Sequence, residues 1–343
     1  MIELQFDGAA PRDDEYRDVG ASPGASVRVS IITPFLNAGP FIAESIESVL
    51  AQTDNRWELL LVNDGSTDAS TGVALEYAAA YPDKIRYITH EGGENRGASA
   101  SRNLAARHAH GEYLAYLDAD DVYLPEKLQR QVAVLDAHPE VAMLYAATQY
   151  WYSWSGRPED ASRDWTWRKY GAEPNTVVAP PRMLIAFLDD GGTVPCMGSV
   201  LVRRAAVERV GGWEDSFRNI CTDQVFHAKL CLRFPVLIAD ACWDRYRQHE
   251  NSSCQTVARA GQSQAAMGRY LAWLENYLRD EGVDDPRVWA AVRQALRRYR
   301  RPRLHGVEQF ARRCVTQFEN IVAQSVGRAL PQSLRRRLWA RWS

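Results

Sequence analysis

Three short apolar runs constrain this chain more than anything else in it. "VRVSIITPFL" (27–36), "WELLLVND" (57–64) and "GEYLAYLDADD" (111–121) each read as a strand and each ends in polar residues. Between them lie helical patterns. "AGPFIAESIESVLAQ" carries Ile42, Ile46, Val49 and Leu50 at helical spacing, and "ASTGVALEYAAAYP" and "SRNLAARHAHG" follow, with a further short strand at "KIRYITH". Strands alternating with helices predict an α/β layer architecture with a mainly parallel sheet. Pro34 is expected to end the first strand, because it has no N–H for the ladder. Ligands in such sheets sit beyond the carboxyl ends of the strands. The residues at those ends are Thr33 to Asn37, Asn63 to Ser66 and Asp118 to Asp121. All three clusters are therefore expected to face one crevice.

Asp118, Asp120 and Asp121 fall within four residues, and like charges this close raise one another's pKa. Asp120 and Asp121 precede "VYLPEKLQRQVAVL", expected as a helix with Pro125 near its start. N-capping would account for one acid, Asp121, but not for three. A divalent cation would, since hard oxygen ligands suit Mg²⁺ or Mn²⁺ and such an ion recruits phosphate oxygens.

Together, "VSIITPFLNAGPFIAESIESVLAQT", "ELLLVNDGSTDAS", "NRGASASRN" and "GEYLAYLDADDVYLPEKL" resemble the family 2 glycosyltransferases. The likeness is dense over 27–145 and thinner to about 250; a lone DxD would mean little, but four motifs in order carry it. The resemblance implies the GT-A fold, a Rossmann-like, mainly parallel sheet flanked by helices. It also implies a nucleotide-sugar donor, with uridine favoured, a Mn²⁺ or Mg²⁺ ion, and transfer with inversion to a saccharide or lipid-linked acceptor. Carried over residue by residue, Thr33, Pro34, Phe35 and Asn37 would line the nucleobase pocket. Asp64 would bond the base, Asp118 with Ala119 would sit near the ribose, and Asp120 would hold the metal. Gly97 and Arg102 would lie beside the nucleotide, the other reading of Arg102 being a salt bridge to the acidic strand end.

The chemistry asks for one carboxylate base opposite a diphosphate leaving group. The resemblance points to Asp223 in "TDQVF", although Thr222 stands where the family usually has Glu; the other reading is a first-turn helix acid. Glu214 and Asp215 in "GGWEDS" match a structural turn. "RYRQHENS" offers His249 as a metal or phosphate ligand, and Arg247 as a phosphate contact; a plain loop residue is the other reading of His249. Trp151, Trp154, Trp165 and Trp167 lie where acceptor contact, core packing or a partner interface would use them.

Three regions are expected: a loose extension over 1–26, the glycosyltransferase domain over 27–255 and a basic helical region over 256–343. Residues 293–343 hold 13 Arg, no Lys and two Glu, a net of +11, and a formal charge of −2 for the whole chain leaves −13 on the rest. A basic tail on an acidic body calls for a partner at the tail. "SLRRRLWARW" mixes Leu, Trp and Arg as an interfacial helix does, so an anionic membrane surface is one expected partner and a solvated or oligomeric helix the rival. The acidic body argues against nucleic acid. Six scattered cysteines without a CxxC pair read as core thiols. The N-terminus lacks a secretory signal and no apolar run spans a bilayer, so the expected location is the cytoplasm, peripheral on the inner face of the membrane if the tail binds there. Two alternatives accompany this reading. A nucleotidyltransferase would want a basic phosphate loop after the first strand, where "TPFLNAGP" has none; a non-catalytic nucleotide-sugar-binding module would not need the acids.

Overall fold

The computed structural model describes residues 16–19, 27–189, 192–218 and 220–300. In chain order the strands and helices are β1 (Tyr16–Val19), β2 (Val29–Phe35), α1 (Ile42–Leu50), β3 (Trp57–Asn63), α2 (Ser70–Ala80), β4 (Ile85–His90), α3 (Ala98–His108), β5 (Tyr113–Tyr116), β6 (Val122–Tyr123), α4 (Lys127–Ala137) and β7 (Met143–Trp151). They continue with α5 (Pro158–Ala161), β8 (Trp165–Trp167), β9 (Thr176–Val178), α6 (Arg182–Leu188), β10 (Leu201–Arg203), α7 (Arg204–Arg209), α8 (Thr222–Arg233), β11 (Val236–Arg247), α9 (Ser253–Arg259), α10 (Ser263–Asp280) and α11 (Pro286–Arg300).

One sheet runs β1-β4-β3-β2-β5-β10-β7-β11-β6, with β8 added to β7 and β9 to β11. The run β4-β3-β2-β5 is parallel, as the alternating pattern predicts, and so is β7 on β11. The other pairings are antiparallel: β10 enters between β5 and β7, and β6 lies against the far end of β11. The sheet is therefore mixed. Every residue of β3 is buried, as a central strand covered on both faces requires. One face packs Ile31, Phe35, Leu59 and Leu61 against Ile42, Ile46 and Val49 of α1 and Leu128, Val132 and Leu135 of α4. Each such side chain removed from water contributes roughly 1.5–3 kcal/mol before entropy is counted.

Several expectations are corrected. Strand β2 continues through Pro34 to Phe35. Leu117 N donates to Ile32 O and Asp64 N to Phe35 O, so even-numbered backbone groups face β5 and odd ones β3. Pairing with β5 stops at Ile32, so the N–H that Pro34 lacks would have had no partner there. Helix α3 starts at Ala98, three residues earlier than the sequence pattern suggests. Val122–Tyr123 is a strand rather than the start of a helix, because β11 pairs with it, and α4 begins only at Lys127. Within 1–26, Tyr16–Val19 pairs with β4 and covers an edge that would otherwise expose unpaired backbone groups.

By contacts the chain divides into a unit ending at Val292 and one beginning at Arg293. The expected boundary at 255/256 falls inside α9, and α10 packs on α8 within the first unit. Cys196, Cys221, Cys231, Cys242 and Cys254 are free thiols, and Cys314 lies outside the described residues. Among the described residues no helix is long and apolar enough to cross a membrane.

Candidate active site

The three polar clusters meet at the carboxyl ends of β2, β3 and β5. Asn37 adopts φ 52°, in the left-handed region that Asn tolerates. Its Oδ1 accepts from Thr67 N at 2.8 Å and its N donates to Ser66 Oγ at 3.0 Å, tying the first strand end to the second. The side chains of Thr33 and Phe35 are buried, so this segment presents Leu36 and Asn37 to solvent.

Asp64 is buried at the mouth of β3. Its Oδ1 accepts from Arg96 N at 2.7 Å and Gly97 N at 3.0 Å, and Oδ2 lies 3.0 Å from Gly97 N. This carboxylate thus holds the turn into α3, with its charge set against backbone donors at a helix start. Gly97 takes φ 91°, and a Cβ there would lie 2.9 Å from Arg218 Cβ, so glycine is required on both counts.

Arg102 of α3 is buried. Its Nη2 donates to Asp118 Oδ1 at 2.7 Å, and its guanidinium lies over the Trp213 ring at 4.4 Å. The salt bridge to the strand end, the second reading of Arg102, is what the structure contains. Nη1 also reaches Thr222 Oγ1 at 3.5 Å, linking α3 to the start of α8. Ala119 is buried among the core side chains and turns no side chain to the crevice.

The three acids divide their work. Asp118 and Asp120 have side chains 40% and 27% exposed. Asp121 is buried, and its Oδ1 accepts from Arg247 N at 2.8 Å. It caps no helix; α4 starts six residues later and Asp121 fastens β11 instead. Burial first, then the charges of Asp120 and Asp118, push the Asp121 carboxyl well above the usual carboxylate range. Repulsion among three adjacent acids is thus relieved by biasing one of them towards its neutral form.

Asp120 Oδ2 stands 2.9 Å from His249 Nε2, and the His249 ring lies 4.7 Å from the Phe41 ring. Arg247, by contrast, is 2% exposed and cannot reach a ligand in the crevice as a phosphate contact would. Its Nε donates to Asp120 O at 2.6 Å and its Nη2 to Glu44 Oε2 at 2.6 Å, with Trp151, Trp154 and Phe41 around the guanidinium at 4.5–5.2 Å. This places two of the four tryptophans in packing. The other two, Trp165 and Trp167, are exposed.

Among the described residues no group of three or more His, Cys, Asp or Glu side chains is arranged to hold a metal. Asp120 and His249 together supply one oxygen and one nitrogen. Such a pair fits an ion that takes its remaining ligands from water and diphosphate oxygens, as Mg²⁺ and Mn²⁺ do.

Asp223 lies in the first turn of α8, after Cys221 at φ 62°. Burial pushes its carboxyl upward, opposed by the Arg102 charge and reinforced by Asp118. A carboxyl raised in this way is poised to accept a proton nearer neutral pH. Asp215 Oδ1 accepts from Asn103 Nδ2 at 2.8 Å, and Glu214 Oε1 accepts from Ser216 Oγ at 3.0 Å, which are structural bonds of the Gly-Gly turn. Thr33 Oγ1, Arg102 Nε and Gln224 Oε1 are buried polar atoms without a hydrogen-bond partner.

Sequence reasoning missed Glu44, Trp213 and the buried Lys127–Asp244 pair under the acid loop. Lys127 and Asp244 are buried; desolvation lowers the lysine to about 7 and raises the aspartate to about 7, each restrained by the other's charge. A lysine in an otherwise amphipathic helix gives no sign of being the buried one.

Comparison with known proteins agrees with the geometry. Residues 30–210 match the family model described as glycosyl transferase family 2. The Escherichia coli UDP-Glc:alpha-D-GlcNAc-diphosphoundecaprenol beta-1,3-glucosyltransferase WfgD is 39% identical over 107 residues, 31% of this chain and 40% of its own length. The chain thus spans about two fifths of that relative. In fold, S. aureus TarS in complex with UDP-GlcNAc matches with a TM-score of 0.52 at 21% identity, over 66% of this chain and 60% of that one. The mannosyltransferase PcManGT of Pyrobaculum calidifontis, in complex with GDP-Man and Mn²⁺, matches with 0.51 at 18% identity, over 93% and 90%. The fold is that of the GT-A glycosyltransferases.

Proposed function

Because the chain belongs to glycosyl transferase family 2, we propose that it moves a sugar from a nucleotide-diphosphate donor to a hydroxyl acceptor, with inversion and with a divalent metal, in building a cell-surface polysaccharide or glycolipid. The observation that carries this is the 2.9 Å approach of His249 Nε2 to Asp120 Oδ2 at the strand mouth, in the crevice that Asp118 and Arg102 border.

In this reading Asn37 and the Asp64-held turn bound the nucleotide pocket, and Asp118, braced by Arg102, faces the ribose. A Mn²⁺ or Mg²⁺ ion at Asp120 and His249 would supply charge stabilisation for the departing diphosphate. Asp223 takes the proton from the acceptor hydroxyl. The hydroxyl oxygen bonds to the anomeric carbon as the bond to the diphosphate oxygen breaks, and the electron pair leaves with that oxygen. One displacement, needing one carboxylate, inverts the centre. UDP-sugars are the favoured donors; TarS has been solved with UDP-GlcNAc and PcManGT with GDP-Man and Mn²⁺.

The Arg-rich tail, of which 301–343 lie outside the described residues, would hold the enzyme against an anionic leaflet where a lipid-linked acceptor resides. WfgD is named for such an acceptor. Deleting 331–343 is then expected to reduce sedimentation with phosphatidylglycerol vesicles; equal sedimentation at low salt refutes the anchor. The transferase reading itself is tested by calorimetry with UDP and GDP, with and without Mn²⁺. Metal-dependent binding of one nucleotide is expected, and no binding of either refutes it.

A further inference from the structure

Three strands set aromatic side chains in a row on one face of the sheet. Register places Tyr246 of β11 opposite Tyr150 of β7, and Tyr150 opposite Trp165 of β8. Directly opposed residues share a face. The rings follow the register: Tyr246 meets Tyr150 edge-on at 5.3 Å, and Trp165 lies flat on Tyr150 at 4.4 Å and 16°. Trp167, two residues on and so on the same face, meets Trp165 at 5.1 Å.

The row runs from the active site outwards. At its inner end Tyr246 directly precedes Arg247, whose N–H and guanidinium clasp Asp121 and Asp120 O, and Trp151 O, next to Tyr150, accepts from the N–H of Gln248, the residue before His249. At its outer end Trp165 and Trp167 are 41% and 37% exposed. Thr148, opposite Trp167 in register, and Lys169 and Thr193 line a cleft beside it.

We propose that Tyr150, Trp165 and Trp167 form an acceptor subsite for β-linked pyranosides, holding the sugar units behind the one that reacts at Asp223. The proposal rests on the glycosyltransferase reading above. A pyranose with equatorial substituents turns axial C–H groups to both faces, and these fit the electron-rich face of an aromatic ring. Its hydroxyls lie at the rim, where Lys169 and Thr193 stand. Trp and Tyr make such a platform with little rotamer entropy to lose.

The test is saturation-transfer NMR on the full chain with UDP and Mn²⁺ present, using cellotriose and chitotriose as probes. Saturable transfer to at least one trisaccharide is expected in the wild type, weakened by about tenfold or more in Trp165→Ala/Trp167→Ala and largely retained in Trp165→Phe. Metal-dependent UDP affinity, measured on the same samples, should match in all three proteins. No transfer from either sugar, or equal transfer in the double variant, overturns the subsite while leaving the donor reading intact. Failure of the wild type to bind nucleotide overturns the donor reading instead. If the double variant loses UDP affinity it is misfolded, and Trp167→Ala alone replaces it under the same criteria. Concentration-dependent self-association that disappears in the double variant would assign this face to a second copy and also overturn the proposal.

Discussion

Asp120 and His249 are 129 residues apart in sequence and 2.9 Å apart in space. The bond joins the acid loop after β5 to the segment just beyond β11, so an event at either end is felt at the other. His249→Ala should therefore weaken Mn²⁺-dependent UDP binding by about 10–100-fold, in the range for loss of a metal-site partner. Asp120→Ala should abolish it. Calorimetry in Mn²⁺ and in EDTA separates the metal-dependent part, and unchanged affinity in folded Asp120→Ala removes the metal assignment.

Arg247→Lys keeps a charge but loses the planar fork that reaches Asp120 O and Glu44 together. Donor affinity should fall and Tm should drop, although the residue touches no ligand. Glu44→Gln should be nearly silent, within about 1 kcal/mol, because Glu44 is 52% exposed while Arg247 is 2% exposed. An Arg247→Lys protein with native Tm and native UDP affinity would contradict the arrangement.

Asp223→Asn should leave nucleotide binding intact and cut turnover by about 10²–10⁴-fold. In the wild type, turnover should fall as pH drops through a value above the usual carboxylate range, because burial raises the Asp223 pKa and only the ionised form accepts a proton. The sign for stability is opposite. A raised carboxyl binds its proton more tightly folded than unfolded, so stability is lost as pH rises through that pKa. The Asn variant should accordingly be at least as heat-stable at neutral pH. Near-normal turnover would remove Asp223 from the chemistry and turn attention to Glu214 and Asp215.

Asp244→Ala should lower stability, because it removes the charge that helps a desolvated Lys127, whose Nζ donates to Gln131 Oε1, keep its proton. Replacing both together, as Lys127→Met with Asp244→Leu, should recover most of that loss. Chemical denaturation of the two variants tests the pairing; equal stabilities would show that the two charges are not coupled.

Gly97→Ala should lower Tm, with a backbone cost of about 1–3 kcal/mol for the left-handed φ in addition to the contact with Arg218. Its effect on UDP binding should exceed that of Ala98→Gly, one residue further on, since Asp64 clasps the Gly97 N–H.

Much of this was readable from local pattern. The parallel run β4-β3-β2-β5 follows from apolar period and helix spacing, and the convergence of Asn37, Asp64 and Asp118 follows from where the strands end. What local pattern could not supply is what long-range pairing decides. Val122–Tyr123 becomes a strand only because β11, more than a hundred residues later, lies beside it. The buried state of Asp121 and Arg247 has the same origin, so one read as a helix cap and the other as a phosphate contact. The Tyr246–Tyr150–Trp165 row is equally invisible, since it depends on registers across three strands. Arg102 was legible as an alternative because acid and base lie only sixteen residues apart, across α3 and β5.

Dependence on β11 also sets a timetable. A ribosome delivers the N-terminal side of a chain first, and domains form in that direction. The acid loop has been made by residue 121, yet the groups that fasten it, the Arg247 N–H to Asp121 and the Arg247 guanidinium to Asp120 O, come 126 and 127 residues later. A nascent chain halted before Arg247 has every acid of the donor pocket and no clasp to order them. Competence to grip a nucleotide therefore arrives late in synthesis, and truncated products of this chain should be poor competitors for the donor pool.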